Sequence, residues 1–144
     1  MILLCAALVP ALQLKAQQTI SEQYIPEIVK QKFYNMYPEA KGAYWKQPMP
    51  GFLDVYFVYH KKKANATFLV SGDWVSTEFE IDIVELPATV RQYLDSQADK
   101  ITRCYLVKTK ASGTQYAADA RAGGEYLSFV FDSTGNLIMK GPRD

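Results

Sequence analysis

The sequence predicts an α+β fold: a tandem duplication of a helix plus four-stranded antiparallel sheet, with the helices on one face of the sheet. Three observations lead there. Two segments with helical apolar spacing, 25–37 and 86–98, are each followed by four runs that alternate like strands. A constant shift of 61 residues lays one half on the other without a gap, placing Ile25-Pro26 on Leu86-Pro87, Val29 on Val90, Tyr44 on Tyr105 and Phe68 on Phe129. The chain of 144 residues suits one domain or two small ones, and its 49% hydrophobic and 22% charged content suits a packed core.

Residues 1–16 read as a signal peptide. Ile2 to Leu14 form an apolar run too short to span a bilayer comfortably, closed by the small residue Ala16. No basic residue precedes Ile2, so a basic n-region is expected upstream. Cleavage after Ala16 leaves fifteen bases against fifteen acids and a single cysteine, Cys104. A periplasmic or secreted location follows, with stability drawn from the core and not from an internal disulfide.

The first repeat is expected over 17–84. Its helix, 25–37, buries Ile25, Ile28, Val29 and Phe33, with Ser21 ahead of it, Pro26 in its first turn and Pro38 ending it. Strands follow at 43–47, 52–60, 64–71 and 74–83. Lys61-Lys62-Lys63 is a solvated turn and Gly72-Asp73 a tight hairpin. The second repeat, 85–144, opens its helix at Leu86-Pro87 and buries Val90, Tyr93 and Leu94. Its strands fall at about 101–110, 114–121, 125–131 and 136–140.

Each helix must cover one apolar sheet face, which leaves the opposite face open. Alternation assigns to that open face Asp54, Tyr56, Val58 and His60 from one strand and Trp74, Ser76, Glu78, Glu80 and Asp82 from another. Tyr126, Ser128 and Val130 join from the second half. Tyr and Trp on a rigid sheet offer large contact area with few rotatable bonds. Tyr56, Trp74 and Tyr126 are therefore the candidate binding anchors, with Asp54 and His60 as polar rim.

Little else carries chemistry. The near-neutral charge gives no basic surface for nucleic acid. One His and two Cys fall short of a structural zinc site, and Glu78, Glu80 and Asp82 on one strand face read as a solvated acidic ladder. Phosphate-loop, nucleophile-elbow and HExxH motifs are missing. No catalytic residue, metal or cofactor is predicted, and no membrane span beyond the leader.

The helix end Phe33-x-x-x-Tyr37-Pro38, the strands with Trp45 and Asp54-Val-Tyr-Phe-Val58, the hairpin Gly72-Asp73-Trp74 and the opening Leu86-Pro87-x-x-Val90 together resemble PepSY-like, beta-lactamase-inhibitor-like proteins of Bacteroidetes-type bacteria. The resemblance covers roughly residues 20 to 140. It implies tandem helix-plus-four-strand units outside the cytoplasm and a sheet surface that binds protein. The paired cysteines of the disulfide-tied inhibitor proteins are missing, so no inhibitory residue is carried over.

The expected function is thus a non-enzymatic exported binding module that presents an aromatic sheet face to a protein or peptide. An inhibitor or chaperone of a secreted peptidase, a cell-envelope structural or sensory part, and an enzyme using His60 with Glu78 or Cys104 are the rival readings. Oligomeric state is left open.

Overall fold

The structure is a computed structural model that describes residues 18–143; the expected signal peptide, 1–16, lies outside the described residues. In chain order come β1 (Thr19–Ile20), α1 (Glu27–Met36), β2 (Lys41–Lys46), β3 (Phe52–Tyr59), β4 (Lys62–Leu69) and β5 (Trp74–Ile81). Then follow α2 (Ala88–Gln97), β6 (Lys100–Thr109), β7 (Gly113–Ala122), β8 (Glu125–Asp132) and β9 (Leu137–Pro142). Short 3₁₀ turns, Glu22–Tyr24 and Ile83–Glu85, precede the two helices.

Among the described residues the nine strands form one antiparallel sheet in the order β1-β2-β3-β4-β5-β6-β7-β8-β9. This corrects the expected α+β tandem of helix-plus-four-strand units: the molecule is mostly a single sheet with two ten-residue helices. The join is β5 against β6, registered from Ser76↔Thr109 to Ile81↔Cys104. Two separate sheets would each leave a long edge of unpaired N–H and C=O groups at this point. Pairing the edges satisfies both.

The helices form where proline presets the backbone and apolar residues recur at helical spacing. Pro26 and Pro87 stand immediately before α1 and α2 with φ of −52° and −53°. Ser21 makes no side-chain cap. Ahead of α2, Asp82 and Glu85 cap the 3₁₀ turn reciprocally: Val84 N–H donates to the Asp82 carboxylate, and Asp82 N–H donates to Glu85. Asp82 is therefore a cap and does not extend the acidic ladder. The β3–β4 hairpin turns at His60-Lys61, both in the left-handed region (φ 47° and 66°), while Lys62 and Lys63 belong to β4. A two-residue hairpin loop with both φ positive matches the right-handed twist of the strands.

Two apolar clusters lie between sheet and helices. In one, Val29 and Phe33 of α1 pack on Trp45, Leu53, Val55, Phe57, Ala66 and Phe68. The Phe33 ring meets Trp45, Phe57 and Phe68 edge-on at 5.5, 4.9 and 6.3 Å. In the other, Val90 and Leu94 of α2 pack on Cys104, Ala118, Ala120, Phe129 and Phe131. The register carries Phe57 through Ala64, Phe79, Leu106 and Tyr116 to Phe131. Both helices thus cover the same side of the sheet.

Candidate functional site

Among the described residues the other side bears no helix. Because side chains alternate along a strand, the same register places Tyr44, Tyr56, Asn65, Glu78 and Val107 in one row across it. Lys46, Asp54, Thr67, Ser76 and Thr109 form the adjacent row.

A groove of about 380 Å³ runs over this face, walled by Tyr44, Tyr56, Asn65, Glu78, Tyr105 and Arg103 among others. Tyr44 and Tyr56 stack, with centroids 5.1 Å apart and planes 10° apart. Lys46 Nζ lies 5.8 and 5.3 Å from the two ring centroids. In the adjacent row Asp54 is buried and accepts the Thr67 hydroxyl at 2.7 Å.

The electrostatics of this corner are consistent in sign. Desolvation pushes the Asp54 carboxyl above its ordinary range, against the Thr67 hydrogen bond that lowers it. Desolvation also raises the Tyr56 phenol, helped by Asp54, Tyr44 and Glu78. Glu78 is raised by desolvation first and by Asp54 as well, while Arg143 opposes the shift. Its side chain is still open to solvent: protein walls surround it, but water reaches it through the groove. Asn65 Oδ1, buried beside Glu78, has no hydrogen-bond partner among the described residues.

A second depression, about 290 Å³, lies farther along the face between Thr102, Arg103, Asp119, Tyr126 and Arg143. Asp119 is buried, accepts the Ser128 hydroxyl at 2.8 Å and pairs with Arg143. The Arg121 guanidinium lies 4.6 Å from the centroid of the half-exposed Tyr126 ring.

Of the residues expected at the site, Tyr56 lines the groove and Tyr126 the second depression on the same face, while Asp54 stands in the row beside Tyr56 outside the groove lining. Asp54 sits beneath the surface and not at a rim. Trp74 is on the helix side: it packs on the first core and donates its Nε1–H to Thr77 at 2.9 Å. His60 sits in the β3–β4 turn, with Nε2 3.5 Å from Glu39.

Cys104 belongs to the second core, where burial pushes its thiol up to about 11. Imidazole, thiol and the Glu78 carboxylate stand on different parts of the molecule. Among the described residues no group of three or more His, Cys, Asp or Glu is placed to hold a metal ion, and no helix is long and apolar enough to cross a membrane.

A family described as "Putative beta-lactamase-inhibitor-like, PepSY-like" matches residues 53–139, more than half of the chain. The chain belongs to this PepSY-like family. Solved structures share the fold. A DUF2874 family protein from Bacteroides ovatus superposes with a TM-score of 0.71 at 21% identity, covering 81% of this chain and 86% of that one. A protein described as putative periplasmic, from Bacteroides eggerthii, gives 0.74 at 19% identity over 83% and 89%. A BLIP-like protein from Bacteroides fragilis gives 0.69 at 16% identity over 80% and 84%. No curated protein matches the chain.

Sequence reasoning on this PepSY-like chain missed Tyr44, Lys46, Asn65, Arg103, Tyr105 and Arg143 as groove and face residues. Tyr44 was within reach, because it alternates with the core residue Trp45 one strand from Tyr56. Tyr105 and Arg103 depend on the β5–β6 pairing.

Proposed function

We propose that this chain is an exported, non-enzymatic binding module whose open sheet face docks a protein or peptide partner. The observation that carries the reading is the bare, aromatic side of the sheet. Four tyrosines, 44, 56, 105 and 126, stand on or around its two depressions, opposite the side that both helices cover. The beta-lactamase-inhibitor-like character of the family supports a protein partner. The apolar leader-like run at 2–14 and the periplasmic description of the Bacteroides eggerthii structure support export. The separation of His60, Cys104 and Glu78 supports a role without catalysis.

The mechanism is steric. A preformed surface with rigid aromatic anchors loses little entropy on docking, and a stable complex would bury about 1,200–2,000 Å² in total. The test is capture from the envelope fraction of the native organism, comparing the tagged chain with its Tyr56→Ala, Tyr126→Ala double variant. The variant is expected to keep its circular dichroism spectrum and lose the captured protein. An unchanged capture profile overturns the reading. Adding the chain to assays of a beta-lactamase and of the secreted peptidases then distinguishes an inhibitor from a scaffold or sensory component.

A further inference from the structure

We infer that the part of the open face around Tyr126 docks an acidic segment of the partner protein, whose carboxylates meet Lys100, Arg103 and Arg121. The inference rests on the docking reading above and names the chemistry of the partner.

The fold gathers these cations from separate parts of the chain. Registered residues on neighbouring strands share a side of the sheet. Lys100 of β6 faces Arg121 of β7, which in turn faces Tyr126 of β8. Arg143 extends that row just past β9, its backbone N–H donating to the Tyr126 carbonyl at 3.1 Å. In the next row Arg103 faces Asp119, which faces Ser128. Within these two rows four cations stand around Tyr126 against a single carboxylate, Asp119, in a chain whose formal net charge is only +1.

That carboxylate does not neutralise them. Asp119 is buried and pairs with Arg143. Lys100, Arg103 and Arg121 are left exposed and without an ion pair among the described residues. Acids close to the two rows are engaged or turned away. Asp99 accepts the Gly123 N–H at 3.1 Å, Glu125 alternates to the helix side, and Glu80 acts on Arg103 without closing an ion pair. The first groove is more balanced, since Lys63 stands there with Glu78 and Glu80, so the acidic segment belongs at Tyr126 and not at Tyr56. Shape agrees with charge. Arg103 and Arg143 wall both depressions, and the second, about 290 Å³, has room for a side chain. A guanidinium lying against a tyrosine ring, as Arg121 does, keeps its N–H fork free for a carboxylate. A peptide can enter such a recess, whereas a flat anionic membrane surface would leave it unused.

The experiment is a ¹⁵N-detected titration of the chain with short blocked peptides in which Ser alternates with Glu, with Gln or with Lys. The Glu peptide is expected to shift the amides of Arg103, Arg121 and Tyr126 saturably, and to bind more weakly as salt rises, because exposed charges are screened. The Gln and Lys peptides should give no saturable shift. Arg103→Gln with Arg121→Gln removes two exposed charges from the patch and should weaken the Glu peptide about fivefold or more. Lys32→Gln with Lys140→Gln lowers the net charge equally on the helix side, at α1 and opposite the core residue Phe129, and should leave the constant within about twofold. The ¹⁵N spectrum of each variant reports its fold. No saturable shift with the Glu peptide, equal binding of the Lys peptide, or equal losses in the two Gln pairs overturns the inference. So does binding to phosphatidylglycerol vesicles without binding to the Glu peptide, which would make the patch a lipid surface. Partner capture separates the two readings. If Tyr56→Ala with Tyr126→Ala loses the partner while Arg103→Gln with Arg121→Gln keeps it, the docking face stands and the acidic segment falls. If both variants keep it, both fall.

Discussion

Tyr44 and Tyr56, a registered pair on β2 and β3, stack with their ring planes 10° apart on the side of the sheet opposite α1 and α2. Tyr44 is exposed, so the pair stands over the groove and does not serve a core. Such a pair is worth about 0.5–1.5 kcal/mol beyond its burial. Tyr44→Ala is therefore expected to lower unfolding stability by about 1 kcal/mol. It should also loosen the Tyr56 ring and weaken partner capture more than that loss of stability explains. Urea denaturation beside capture measures both. A Tyr44→Ala chain that binds as well as the parent removes the stack from the docking surface.

Thr77 is the polar hinge of the first core. Its fully buried hydroxyl accepts from Tyr37 at 2.7 Å and from Trp74 at 2.9 Å. Thr77→Val keeps the shape and strands two donors. Each buried group left unpaired costs about 1–3 kcal/mol. The expected loss is about 2–4 kcal/mol, with Trp74 partly relieved by its residual exposure. Chemical denaturation with Trp fluorescence gives the value, and a loss under about 0.5 kcal/mol would mean the network is idle.

Periodicity shows the elements well and their assembly poorly. Val29, Phe33, Val90 and Leu94 announce two helices because a buried helical face repeats every 3.6 residues. Leu53, Val55 and Phe57 announce a strand covered on one side. No comparable mark distinguishes β5 as an edge from β5 paired to β6, because side-chain alternation is the same in both cases. Hence two sheets were expected where one exists, and Tyr105 and Arg103 were not placed in the groove.

Trp74 was misplaced for a sharper reason. Ser76 faces Thr67, yet Trp74 faces Phe68, so β5 carries one extra residue there. A bulge of one residue reverses the side to which every residue before it points. His60 left the face in another way: the strand ends at Tyr59, and His60 adopts a left-handed turn conformation instead of the next extended position.

Two hairpin glycines are set against the helices. Gly72 (φ +100°) and Gly135 (φ +93°) have no room for a Cβ, because Ile28 of α1 lies against the first and Thr89 of α2 against the second. Gly113 also has positive φ, +70°, but faces open space. Alanine at Gly113 is expected to cost about 1–2 kcal/mol from backbone strain alone. At Gly72 or Gly135 about 1–3 kcal/mol of overpacking adds to that strain. Thermal melts of the three variants should therefore separate Gly113→Ala from the other two. Equal losses would mean the helix starts yield freely.

Acid should act on this protein through two groups of opposite sign. Asp132 accepts from the Thr134 hydroxyl, from the backbone N–H groups of Thr134 and Asn136, and from the Asn136 amide. Those bonds hold its pKa down to about 2 from 3.8. A folded pKa below the unfolded one gives stability that is present above about pH 4 and lost as pH falls toward 2. Asp54 is the reverse: its folded pKa is raised, chiefly by desolvation. The folded state then holds a proton that the unfolded state has released, so stability drains away as pH rises from the unfolded value through the folded one.

The substitutions divide accordingly. Asp132→Ala should destabilise at pH 7 and be nearly silent at pH 2. Asp54→Asn keeps an oxygen for the Thr67 hydroxyl and removes a charge that burial disfavours. It should therefore stabilise at pH 7, with the gain fading below about pH 4, where the native carboxyl is itself protonated. Melting temperatures of the two variants against the parent, taken from pH 2 to pH 7, give two difference curves. The Asp132 curve should open downward with rising pH and the Asp54 curve upward. An Asp54→Asn chain less stable than the parent at pH 7 would show that this carboxylate is held by its partners more strongly than its burial opposes it.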